Sequence, residues 1–112
     1  METLDQMRKG TTTLAILKLL IDAEAPMHGY QIARALEGRS QGSFQFKEGL
    51  LYPRLHQMEH DGLLRSEWEG ERGSRRRKVY LPTAEGKQRL KEELQQWHAF
   101  LLSMGRLLGQ AE

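Results

Sequence analysis

The chain contains no cysteine. Disulfides, thiolate metal sites and a cysteine nucleophile are excluded, and the composition fits a reducing compartment. Nor is there a long apolar run. The longest, residues 14–21, is broken by Lys18 and falls well short of the roughly 20 residues that a bilayer-spanning helix needs. The opening METLDQMRKG mixes both charge signs around no apolar centre, which argues against a secretory leader. Also missing are a phosphate-cradling GxxxxGK, a GxGxxG, a nucleophile elbow and any internal repeat. These absences lead to an expectation of a cytoplasmic, non-membrane protein that is not an enzyme and carries no cofactor. A large charge excess is lacking as well. The formal net charge is +2 and the pI about 9.1, so only the placement of charge can point to a partner.

What is present is a 112-residue chain with 38% hydrophobic and 29% charged residues, the balance of a globular domain and not of a disordered one. That length fits one domain, or one domain with a helical arm. Its core is limited, so burial against a second subunit fits.

Residues 47–81, KEGLLYPRLHQMEHDGLLRSEWEGERGSRRRKVYL, organise the rest. They predict a helix, a turn, a strand, an arginine-rich loop and a returning strand: the DNA-contacting half of a winged helix-turn-helix. Residues 1–10 are expected as an arm, with Thr11, Thr12 and Thr13 as candidate N-caps for an apolar helix over residues 14–21. Residues 22–27, with Pro26, read as a connection. A second helix is expected over residues 28–37, with Tyr30, Ile32, Ala33 and Leu36 on its apolar face and Gly38 as its cap. The third helix should span residues 48–61, with Leu51, Leu55 and Met58 inward and Gly62 ending it. Pro53 is tolerated only near the start, which places that start within residues 47–50.

In the hairpin, Leu64, Ser66 and Trp68 should point inward. Val79 and Leu81 should share one face of the returning strand and Tyr80 the other, with Gly70 and Gly73 at the tip. Thr83 should cap a last helix over residues 84–108, with Glu85 in its first turn. Leu90, Leu94, Trp97, Leu101, Met104 and Leu108 alternate four and three apart, a heptad seam suited to dimerisation. The overall expectation is α+β, mainly α: a winged helix-turn-helix over residues 1–83 and a long C-terminal dimerisation helix over residues 84–112.

Arg72, Arg75, Arg76, Arg77 and Lys78 face a single acid, Glu71, in the loop. Clustered cations on one hairpin suit a phosphate backbone, whose condensed counterions they release. A solvated surface loop is the plain alternative, and with it a protein-interaction module. On the third helix Lys47, Gly49, Tyr52 and Arg54 sit where a recognition helix meets base edges and phosphates. Tyr52 has two readings: a phosphate donor or stacking ring, or a cap on the core. His28 and Tyr30 open the second helix, whose N-terminus favours anions. Residues 56–60 spell HQMEH, the H-x-x-E-H pattern of inverted zinc peptidases. No third ligand is evident, so no metal site is assigned. His98 stands alone, and Trp97 reads either as a dimer-core anchor or as a plate for a planar ligand.

In their order and spacing these residues resemble the PadR family of transcriptional regulators. Arg8, Lys9, Gly10 and the apolar residues 14–20 resemble the family's opening, and His28, Gly29, Tyr30 and Ile32 its second helix. Gly49, Leu50, Leu51, Tyr52, Pro53, Leu55, Glu59, Gly62 and Leu63 resemble its most specific motif. Arg76, Arg77, Lys78, Tyr80, Leu81, Thr83 and Gly86 resemble its wing and exit, with Pro82 a departure at the strand end. The resemblance implies a homodimer held by the C-terminal helix, a palindromic double-stranded DNA operator, repression, and release of DNA by an effector. The short C-terminal region resembles the subfamily with one terminal helix. Some of its members are similar to multidrug sensors with a Trp there, which makes Trp97 a candidate contact for a small aromatic effector.

Overall fold

Helix α1 runs unbroken over Glu2–Ala23, through the expected arm and through the threonines. The computed structural model describes residues 2–70 and 76–110, residues 2–9 as backbone. An N-cap forms only where the preceding chain leaves helical geometry. Here the preceding residues include good helix formers such as Glu2, Leu4, Gln6, Met7, Arg8 and Lys9, and Gly10 alone does not stop them. Thr12 and Thr13 are consequently buried interior residues of the helix, in line with Ile16, Leu17 and Leu20.

The connection after α1 holds a strand that periodicity could not reveal, β1 (Met27–His28). Helix α2 (Gly29–Arg39) begins at once, and α3 (Glu48–His60) follows. A hairpin of β2 (Leu64–Glu69) and β3 (Arg77–Pro82) leads into α4 (Ala84–Leu107). The sheet is antiparallel in the order β1-β3-β2, so β3 is central. That explains Tyr80. It pairs with both Ser66 and Met27 and is buried in the core, while its neighbour Val79 is buried too. Pro82, which has no N–H to donate, is the last residue of β3. Trp68 departs from expectation in the opposite sense. It keeps the alternation but lies beyond the core and is 65% exposed.

Helix ends explain most of the boundaries. Gly62 follows α3 with φ +81°, and the Leu63 N–H reaches the Met58 carbonyl while the Gly62 N–H reaches that of Glu59. This is a Schellman closure. Helix α2 does not stop at Gly38. It continues to Arg39 and closes in the same way, with Gln41 in the left-handed position at φ +54°. A side chain there is disfavoured, so Gln41→Gly is expected to stabilise the fold by about 0.5–1 kcal/mol, read from the denaturation midpoint. Helix α3 starts at Glu48, within the expected bracket. Pro53 nevertheless falls in its second turn, and the Gly49 carbonyl, on an exposed residue, goes without the N–H that position 53 would supply.

The core gathers Leu17 and Leu20 of α1, Ile32 of α2, Leu51 and Leu55 of α3, Leu64, Tyr80 and Leu90. Leu90 thus belongs to the chain's own interior and is not free to take the seam position expected for it. Together with buried Gly86 it makes the first turns of α4 part of the winged-helix core, so packing shows no break at residue 84. Further along, the apolar face opens. Trp97, Phe100, Leu101, Leu102, Leu107 and Leu108 are exposed and Met104 is partly so; Leu108 caps the helix from just beyond its end. The molecule measures 59 Å in its longest dimension. No helix among the described residues is long and apolar enough to cross a membrane.

Candidate nucleic-acid interface

An open polar cleft lies where the start of α2, the exposed side of α3 and the hairpin meet. His28, Tyr30, Tyr52, Arg76, Arg77 and Lys78 line it, together with Gly29, His56 and Tyr80. Six candidates scattered over fifty residues of sequence are thereby brought to one surface. Lys47 lies at a neighbouring hollow with Tyr30, Arg34, Phe46 and Glu48. Gly49 is exposed on α3 with open space around it, and Arg54 is half-buried; neither lines the cleft. Arg75, like Arg72 and Gly73, lies outside the described residues.

His28 is positioned by a capping box. Its Nδ1 accepts from the Gln31 N–H at 3.3 Å, while the Gln31 side chain accepts from the His28 N–H at 3.0 Å. Its Nε2 lies 3.0 Å from Arg77 Nη1. A neutral imidazole has a single acceptor nitrogen, so it holds either the cap or the arginine, not both. An Arg77 drawn to a phosphate would leave the cap intact. Tyr30 is 52% exposed, not on the apolar face of α2. Its ring stacks near His28, and its hydroxyl accepts from Arg34 at 2.9 Å. Arg34 was not legible as a site residue, because its spacing alone marks only a solvated helix face.

Tyr52 packs against the start of α2 and still reaches the cleft. Its ring lies over Gly29, where an added Cβ would come within 2.5 Å of Cε1, yet the side chain stays partly exposed at the cleft. Gly29 therefore lets the Tyr52 ring lie against the start of α2.

Lys78 is engaged locally. Its Nζ lies 3.0 Å from Glu59 Oε1, and the Ser66 hydroxyl donates to the other carboxylate oxygen. Glu59 thus pins both strands of the hairpin to α3. This is the work of the glutamate in the H-x-x-E-H pattern, whose histidines 56 and 60 are both exposed. Among the described residues no three metal-ligating side chains gather. The Ser66 bond, with Lys78 adding to it, holds the Glu59 carboxyl below the ordinary 4.5 against the opposing effect of burial. The same contact with Glu59 raises Lys78. A depressed carboxylate stabilises the fold above its unfolded pKa and loses that contribution as pH falls through the folded one. Acid titration of stability over roughly pH 3–5 should therefore be flatter for Glu59→Gln than for the parent. Equal slopes would remove Glu59 from its pinning role.

Two helices joined by a turn, with a basic hairpin beside the second and a cationic cleft between them, define a winged helix-turn-helix of the DNA-binding type. Residues 16–92, more than half of the chain, match the Transcriptional regulator PadR-like family. Solved structures agree. A transcriptional regulator from Clostridium thermocellum superposes with a TM-score of 0.81 at 27% identity, covering 91% of this chain and 93% of that one. A PadR family regulator from Eggerthella lenta gives 0.79 at 33% identity, covering 96% and 89%. A third, from Clostridium difficile, gives 0.72 at 33% identity, covering 87% and 97%. The chain belongs to the PadR-like family, whose members are transcriptional regulators and not enzymes.

Proposed function

We propose that this regulator acts in the cytoplasm as a homodimeric, ligand-responsive repressor on a palindromic operator. The observation that carries the reading is the convergence of His28, Tyr30, Tyr52, Arg76 and Arg77 on one open cleft. Helix α3 would enter the major groove through its N-terminal half, with Lys47, Gly49 and Tyr52 toward the duplex and Arg54 at the margin. Arg75, Arg76 and Arg77 would hold the flanking phosphates, and Lys78 would set the wing through Glu59. The exposed apolar face of α4 supports dimerisation through Trp97, Leu101, Met104 and Leu108, whereas Leu94, like Leu90, packs on the chain's own core. In this reading residues 1–83 with the first turns of α4 form the DNA-binding unit, and the rest of α4 the joining arm.

Trp97 suits an effector contact. It stacks on Phe100 at 5.9 Å and, with Leu14 and Gln96, lines a hollow between α1 and α4.

Selection of duplexes from a random-sequence pool, followed by sedimentation of the complex, tests the reading. Two chains on an inverted repeat are expected, with planar aromatics both quenching Trp97 emission and weakening retention. A single chain bound to DNA, or no enrichment of any duplex, would overturn it.

A further inference from the structure

Trp68 has no place in the core and lies beside the proposed DNA surface, paired across the hairpin with a residue that lines it. It pairs across the hairpin with Lys78, as Ser66 pairs with Tyr80, so the four side chains share the face turned toward α3. Ser66 and Lys78 both bond to Glu59, which ties the hairpin to α3 on the face that carries the indole. Lys78 also lines the cleft with Tyr52, His56, Arg76 and Arg77. At 65% exposure, Trp68 presents a broad apolar plane beside the cations that lead to the wing tip.

Its surroundings narrow the choice of partner. Lys78 is its cross-strand partner, Glu67 and Glu69 flank it in β2, and Arg77, preceded by Arg76 just before β3, pairs with Glu69. Protein interfaces deplete Lys and Glu around a buried aromatic, and the extended apolar surface of this chain lies elsewhere, on α4. A nucleic-acid surface is matched by the opposite arrangement, an aromatic plane set among phosphate-binding cations.

We propose, resting on the DNA-binding reading above, that Trp68 is a DNA contact whose indole packs on the deoxyribose rings of the strand held by Arg76 and Arg77. The contact adds affinity without charge. Because the indole is neutral it releases no counterions, so its removal lowers affinity while leaving the salt dependence as it was. That separates it from the neighbouring arginines.

The test uses the full chain carrying 5-fluorotryptophan, whose two tryptophans give two ¹⁹F resonances. The one absent in Trp68→Phe is Trp68. The probe is a duplex enriched from a random pool by the unsubstituted protein. On saturation the Trp68 resonance is expected to move and to lose its H₂O/D₂O isotope shift. Trp68→Ala is expected to bind roughly tenfold more weakly with an unchanged slope of log affinity against log salt, and Trp68→Phe to recover part of the loss. A retained isotope shift at saturation, or Trp68→Ala affinity equal to the parent's, overturns the assignment and leaves the DNA-binding reading standing. Failure of the unsubstituted protein to enrich any duplex overturns both.

Discussion

Replacing Arg76 and Arg77 with alanine is expected to weaken duplex binding by about tenfold for each phosphate no longer held, since a charge-assisted hydrogen bond contributes about 1.5 kcal/mol. The more diagnostic quantity is the salt slope. Each neutralised phosphate contributes about 0.9 to the slope of log affinity against log salt, and in a homodimer each substitution counts twice. The double variant should therefore bind with a visibly flatter slope at every duplex sequence, because phosphate contacts carry no base information. Adding Arg75→Ala should extend the effect. Arg77 also meets His28, so a melting curve must accompany the measurement; the imidazole cap on α2 predicts that it moves little. Parental affinity and slope in the double variant would leave the basic hairpin as solvated surface.

Gly86→Ala is expected to destabilise the fold by at least about 3 kcal/mol, lowering the melting temperature by on the order of 10–15 °C. An added Cβ would sit 2.2 Å from the Leu63 carbonyl oxygen and 3.3 Å from Leu17 Cδ2. The carbonyl cannot retreat freely. It accepts from the Thr83 N–H at 3.1 Å, and the Thr83 hydroxyl donates to the Gly62 carbonyl at 2.6 Å while accepting from the Gly86 N–H at 3.0 Å. The exit of α3 and the start of α4 are thus one knot. Gly38→Ala is the control of opposite sign. Nothing lies within 4 Å of the added Cβ inside α2, so helix propensity alone operates and a gain of up to about 1 kcal/mol is expected. Similar melting temperatures for the two variants would contradict the described junction.

These glycines show how far local chemistry could be read. Gly62 was legible as a cap because a glycine after a helical period has one common use, and φ +81° is that use. Gly38 invited the same reading, but α2 ran past it to a glutamine, since closure depends on where the chain must turn and not only on which residue turns most easily. Thr83 was legible as an N-cap, whereas Thr11, Thr12 and Thr13 were not caps at all, because the chain before them stays helical. The arginines announced a charged surface by composition. That Lys78 turns to Glu59, and that Arg34 joins Tyr30 beside the cleft, was not visible, for each contact depends on which elements pack together.

The sequence by itself determined the order of helices and hairpin, the bounds of α3 to within a residue, and the family. Those properties are written in spacing, caps and turn residues, which act over a few positions. Only the tertiary structure decided which side chains are spent on the core and which face outward. It made β3 central and so buried Tyr80, drew Leu90 out of the seam into the interior, and left Trp68 in the open. The physical reason is the same in each case: alternation and periodicity say which residues share a face, but what covers that face is contributed by residues distant in the chain.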